Sequence, residues 1–125
     1  MDFRFRYTGI RVRDLDRSLG FYRDLLGMEE VARGTMPHGG VYVHLTSPGS
    51  PQRLELNWYP ATSRFHVPYR TGEELDHLAF RVEDVGAALE ELEGRGVEVV
   101  VGPDEAEDTE VYVVDPDGIW IELLS

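Results

Sequence analysis

The sequence predicts an α+β fold of two tandem βαβββ modules, with curved mixed sheets enclosing a cavity and helices outside. Three observations lead there. The chain repeats itself: YTGIRVRDLDRSLGFYRDLLG (7–27) lies over HLAFRVEDVGAALEELEGRG (77–96) at an offset of 70 residues. Arg11 then meets Arg81, Val12 meets Val82, Asp14 meets Asp84 and Leu19 meets Leu89. In each copy a short strand-like segment gives way, after an aspartate, to apolar residues at helical spacing. Each helix is followed by three alternating segments, the last two joined by turn formers.

The elements follow in order. Residues 7–12 start the first module as a strand. Asp14 is placed to cap a helix by accepting from its first free N–H groups. Leu15, Leu19, Tyr22 and Leu26 line one face of that helix, and Gly27 stands where a C-terminal stop belongs. Strands follow at about residues 29–34, 40–46 and 53–59, with SPGSPQ (47–52) turning the last two. In the second module Asp84 caps, Val85, Leu89 and Leu92 form the apolar stripe, and Gly96 stops the helix. Strands at about 97–102, 110–115 and 119–124 complete it, with DPDG (115–118) as the turn. The modules span about 1–59 and 75–125, and the turn-rich stretch 60–74 links them. With a helix on one face of each sheet, the other faces are expected to curl toward each other within a single domain, residues 1–125.

A chain of 125 residues suits one domain. With 42% hydrophobic residues it is globular in composition. Cysteine is absent, which removes disulfides, thiolate metal sites and cysteine nucleophiles. Any metal must be held by His, Glu, Asp or Tyr, which favours a divalent ion bound through nitrogen and oxygen. The net charge of −12 makes nucleic acid and anionic membranes poor partners. All 12 basic residues are arginine. No apolar run approaches a membrane span and no signal peptide is visible, so a cytoplasmic location is expected.

The segment RLELNWYP (53–60) poses the functional question. A strand sends neighbours to opposite faces, so Glu55 points away from Leu54 and Leu56. WIELLS in the second module repeats the arrangement with Glu122. Tyr7 and His77 are equivalent as well, each at the start of its module. Two readings stand. The acids are solvated on the open face of an antiparallel sheet, or they line a polar cavity between the halves.

RVRDLDRSLGFYRDLLGM, LDHLAFRV and DPDGIWIEL resemble the vicinal oxygen chelate superfamily, which includes glyoxalase I, methylmalonyl-CoA epimerase, extradiol dioxygenases and bleomycin- or fosfomycin-resistance proteins. The resemblance runs from about residue 5 to the end. LELNWYP followed by GEELDHLAF looks most like the lactoylglutathione lyase (glyoxalase I) branch. That branch holds a divalent metal with His, Glu, His and Glu, one from each of four strands. Carried onto this chain, the last three places fall on Glu55, His77 and Glu122. The first falls on Tyr7, where the sequence departs. A phenol ligates poorly at neutral pH unless the metal draws off its proton. Tyr7 is therefore open to three roles: phenolate ligand, hydrogen-bond partner of a metal-bound water, or filler. If the 47–52 turn sets Thr46 opposite Arg53, then His44 lies opposite Glu55, about 5 Å away on the same face. His44 would then be a candidate for the missing nitrogen, or a polar residue with no metal role.

The resemblance implies an enzyme: a metal-dependent lyase or isomerase. It would convert the hemithioacetal of a 2-oxoaldehyde and a thiol to a 2-hydroxyacyl thioester through an enediolate. The ion would be Ni, Zn, Mn or Fe, chelating two adjacent substrate oxygens, and Glu122 or Glu55 would be the catalytic base. Arg11, on the face of Tyr7, matches the arginine that family members set near the thiol cofactor's carboxylate; pairing with a carboxylate is the other reading. Asn57, two residues after Glu55, is placed to donate to substrate. The alternatives are a thioester epimerase of the same superfamily and a small-molecule binding or resistance protein, metal-free or metal-assisted. An extradiol dioxygenase fits less well, needing two His and one carboxylate. A homodimer is implied, with a small-molecule substrate, in thiol-adduct form in the glyoxalase case. His38 and His66 read as solvated, Trp58 and Trp120 as core or rim, DEAEDTE (104–110) as a solvated loop, and 64–70 as a lid.

Overall fold

The computed structural model describes residues 2, 4–37, 39–63, 65–66, 68, 70–71, 75, 77–102 and 111–125. The chain divides into two units, Met1–Pro68 and Tyr69–Ser125, with the boundary inside the 60–74 stretch.

The first unit contains β1 (Thr8–Arg11), α1 (Leu15–Leu19), a π-helical turn (Gly20–Leu25), β2 (Glu29–Thr35), β3 (Val41–Thr46) and β4 (Arg53–Trp58). The second contains β5 (His77–Arg81), α2 (Val85–Gly94), β6 (Val99–Val101), β7 (Val111–Val114) and β8 (Trp120–Leu124). Each forms one four-stranded mixed sheet, in the orders β1-β4-β3-β2 and β5-β8-β7-β6. The first and last strands of each unit run parallel and the other pairings are antiparallel. The helix is what allows this, because a parallel neighbour needs a crossover too long for a hairpin. The repeat seen in the sequence is thus a repeat of topology. Among the described residues no helix is long and apolar enough to cross a membrane.

Both helices begin as their aspartates dictate. The Asp14 carboxylate accepts from the Arg17 N–H at 3.1 Å and the Asp84 carboxylate from the Ala87 N–H at 2.9 Å. Both end at a glycine in the left-handed region, Gly27 (φ 76°) and Gly96 (φ 84°). Between those limits the first helix departs from expectation. Its second part is π-helical, which adds a residue to the turn. The wider turn buries the adjacent Phe21 and Tyr22 together, with ring centroids 5.0 Å apart and edge-on. Leu26, expected on the same stripe, is left half-buried.

The strands show what RLELNW is for. α1 packs against β4. Leu54 and Leu56 are buried, and register places Ile10, Val43 and Leu45 on their face. Glu55 points to the other side. In the second unit Ile121 and Leu123 are buried with Val111 and Val113, and Glu122 points away from them. One sheet face in each unit is therefore core, and the opposite face holds the polar residues.

Candidate functional site

On the polar face of the first unit, the 47–52 turn closes with Thr46 opposite Arg53 and His44 opposite Glu55. His44 Nε2 and Glu55 Oε2 are 2.6 Å apart. Both side chains are largely shielded, at 11% and 14% exposure. Arg53 reaches back across the hairpin and sets Nη1 3.3 Å from His44 Nδ1. The rings of Tyr7 and Tyr42 meet the imidazole edge-on, with centroids at 4.8 and 5.6 Å. Gly9 lies beside Glu55 in the parallel pairing of β1 and β4. A methyl group there would stand 3.3 Å from Asn57 Nδ2 and 3.5 Å from Glu55 Oε1, so both polar groups lie over bare backbone.

Arg11 pairs with Asn57 in the sheet register. Asn57 is buried, with its amide 3.5 Å from the Ile10 carbonyl, too long for a strong bond. Tyr59, just beyond β4, senses the same cluster. Its phenol is pushed above its ordinary value near 10, first by burial and then by the charge of Glu55, while Arg11 pulls the other way.

The second unit repeats the constellation with a change. Tyr112 lies opposite Glu122, where His44 lies opposite Glu55. His77 heads β5, where Tyr7 precedes β1. Histidine and tyrosine have exchanged places around a retained glutamate. His77 Nε2 is 3.2 Å from Glu122 Oε2; His77 is partly open at 36% exposure, and Glu122 is buried. The Tyr112 ring meets His77 edge-on at 5.8 Å and lies 5.7 Å from Trp120.

The structure thus brings the residues singled out from sequence into two His–Glu pairs, one per unit. Among the described residues, no group of three His, Asp or Glu side chains stands ready to hold an ion. The donor chemistry can be tested pair by pair. Two donors each about 2.0–2.2 Å from one ion, at tetrahedral or octahedral angles, lie roughly 2.8–3.6 Å apart. The His77–Glu122 spacing of 3.2 Å matches such an edge. The His44–Glu55 spacing of 2.6 Å is that of a hydrogen bond. The second pair offers two donors at a spacing an ion could bridge, and in the first pair the Glu55 oxygen bonded to His44 is Oε2.

Sequence reasoning missed Arg53, Gly9, Tyr42, Tyr59 and Tyr112. Tyr112 was open to discovery, since the repeat that pairs Glu55 with Glu122 also pairs His44 with Tyr112 once the turns are aligned. Arg53 and Tyr42 depend on cross-strand reach, which no single strand displays. His66 is exposed, Trp58 half-buried and Trp120 exposed at 44%. His38, the 104–110 run, and Arg64, Val67 and Tyr69 of the expected lid lie outside the described residues.

Known proteins share this architecture. A probable lactoylglutathione lyase from Synechocystis is 34% identical over 124 residues, covering 94% of this chain and 92% of that protein. The trypanothione-dependent glyoxalase I of Leishmania major superposes with a TM-score of 0.75 at 34% identity, covering 99% of this chain and 87% of that one. An antibiotic-binding protein from a Streptomyces species superposes with a TM-score of 0.73 at 26% identity, covering 98% and 95%. A family model matches residues 4–123, and the chain belongs to the Glyoxalase/Bleomycin resistance protein/Dioxygenase superfamily.

Proposed function

We propose that the two units act as one metal-dependent lyase of glyoxalase I type. The observation that carries this reading is the His77–Glu122 pair, whose donor atoms, 3.2 Å apart as in an ion pair, are also close enough to share one divalent ion. Glu55, His77 and Glu122 would hold the ion. Three protein donors leave coordination positions for substrate. When bound, the ion supplies positive charge that stabilises negative charge on two adjacent substrate oxygens. Nickel, zinc, manganese and iron all accept this donor set.

The chain's own groups then divide the remaining work. The substrate class is the hemithioacetal of a 2-oxoaldehyde and a thiol. A carboxylate oxygen, of Glu122 or Glu55, takes the proton from the carbon bearing sulfur and hydroxyl. It returns a proton to the adjacent carbonyl carbon while the hydroxyl proton passes to that carbon's oxygen, so the 2-hydroxyacyl thioester product is an isomer of the substrate and no redox partner is needed. Arg11 offers a fixed positive charge to a carboxylate on the thiol. Asn57 offers an amide donor beside Glu55. The names of the relatives support the activity, and so does the retention of Glu55, His77 and Glu122. We further propose a homodimer, which sedimentation at micromolar concentration would test.

The test is a metal-titrated assay of methylglyoxal consumption with several thiols, alongside calorimetric metal binding. Stoichiometric binding with metal-dependent turnover is expected. Neither binding nor turnover with any ion or thiol would end this reading. A second reading, a small-molecule binding or resistance protein, is favoured by tyrosine at position 7 and by the exposed Trp120 beside Tyr112. It predicts that Glu122→Ala leaves binding of a planar drug unchanged.

A further inference from the structure

The two histidines are not equivalent, and the hydrogen bonds around His44 assign its role. A guanidinium has five donors and no acceptor. Arg53 Nη1, 3.3 Å from His44 Nδ1, can only donate, so Nδ1 presents its lone pair. The proton of the neutral imidazole then sits on Nε2, aimed at Glu55 Oε2 at 2.6 Å. An imidazolium would set an N–H against the guanidinium. Both ring nitrogens are thus engaged by the protein, and Tyr7 and Tyr42 hold the ring plane from its edges.

We infer that His44 is a positioning residue. With Arg53 it forms a relay, Arg53 to His44 to Glu55, that fixes the Glu55 carboxylate by occupying Oε2 and leaves Oε1 to serve an ion or a substrate proton. His44 does not ligate the ion. Metal-binding histidines ligate through one nitrogen while the other donates a proton to a carboxylate or carbonyl. His44 donates to a carboxylate in the same way, but the lone pair that would ligate, on Nδ1, is taken by Arg53. Gly9 completes the device, because its missing side chain leaves the Oε1 side of Glu55 open. Within the first unit, a carboxylate oxygen and no imidazole is left for an ion. The inference deepens the metal reading above and rests on it for the role of Glu55, but the tautomer of His44 stands on the hydrogen bonds alone.

Long-range proton–nitrogen NMR on the ¹⁵N-labelled full chain tests both parts. Before metal, His44 is expected as the Nε2–H tautomer. On addition of zinc, the His77 ring nitrogens shift while His44 keeps its tautomer. A His44 that carries its proton on Nδ1, or a metal-bound shift at either of its ring nitrogens, would overturn the inference. Zinc that leaves His77 unmoved sinks the metal reading instead, and the metal-free spectrum still decides the tautomer. Zinc calorimetry on two variants gives an independent measure. His44→Ala should weaken zinc binding by about 10–100-fold, as losses of supporting hydrogen bonds do, whereas His44→Gln, which keeps an N–H donor, should recover to within about threefold. Equal, large losses in both variants would mark His44 as a ligand and refute the relay.

Discussion

Gly34 sits in the middle of β2, directly opposite Tyr42 of β3, and its backbone makes no demand for glycine. The reason for it is the ring across the strand. A methyl group on Gly34 would lie 2.4 Å from Tyr42 Oη, 2.5 Å from Cζ and 2.6 Å from Cε1. Contacts between carbon atoms settle at about 3.5–4.0 Å, so Gly34→Ala must drive the ring outward by roughly 1 Å. The overlapping atoms, the hydroxyl oxygen and two ring carbons, are the far end of a half-buried side chain, so Tyr42 must swing aside. The cost should fall at the low end of the about 1–3 kcal/mol that overpacking brings. For a chain of this length that lowers Tm by roughly 3–5 °C per kcal/mol. Thermal melts followed by far-ultraviolet circular dichroism read the loss, and a double-mutant cycle assigns it. In a Tyr42→Ala background the obstruction is gone, and Gly34→Ala should become neutral or gain up to about 1 kcal/mol, since alanine restricts the unfolded strand more than glycine. Tyr42 touches His44 edge-on, so Gly34→Ala should also shift the His44 ring signals. A Gly34→Ala protein melting within about 1 °C of the parent, or a cost equal in both backgrounds, would refute the reasoning.

Other outcomes follow from the same contacts. Glu122→Gln should weaken zinc binding by more than the roughly 10–100-fold typical of supporting contacts, read by calorimetry, and an unchanged affinity would remove Glu122 from the ligand set. Tyr59 should ionise above its ordinary value near 10, from burial first and Glu55 second. Because the folded value is raised, its contribution to stability is complete below the unfolded value and is lost as pH climbs through the folded one. Tyrosinate absorbance in a Tyr59→Phe difference titration should show this, and Glu55→Gln should bring the value part of the way back. Asp14→Ala and Asp84→Ala each remove the side-chain acceptor that caps a helix, and each should cost about 1 kcal/mol in urea unfolding.

What could be read from the sequence was whatever repeats locally or twice. Alternation around Glu55 and Glu122 placed each acid opposite its leucines, because a strand has period two. The 47–52 turn offered one register, Thr46 on Arg53 and His44 on Glu55, and the structure has it. The capping aspartates and stopping glycines act within one turn of chain. What escaped depends on longer reach. The π turn that buries Phe21 with Tyr22 leaves no simple period, because it changes the residue count of one turn only. Gly34 has its reason only in the ring of Tyr42 across the strand pair. Arg53 is two residues from Glu55 on its own strand, and only its diagonal path to His44 makes it part of the site.

The exchange of histidine and tyrosine between the units yields a last, sharper prediction. Each unit sets one imidazole, one phenol and one carboxylate on its polar face, at three matching positions. A residue directly opposite another across an antiparallel pair has its Cβ about 4.5–5.5 Å away, close enough for His44 and Glu55 to satisfy each other. A residue on the parallel neighbour, two positions short of the glutamate, approaches on the diagonal. There His77 stops at 3.2 Å from Glu122. Placement, not residue type, then decides whether an imidazole supports a carboxylate or joins it as a ligand. The swapped double variant Tyr7→His with His44→Tyr would give the first unit the arrangement of the second. It should bind zinc on the order of tenfold more tightly than the parent, because it gains a ligand in place of a support. If the swap weakens zinc binding, or if Tyr7→His alone gains nothing while His44 is intact, strand position does not set the division of labour.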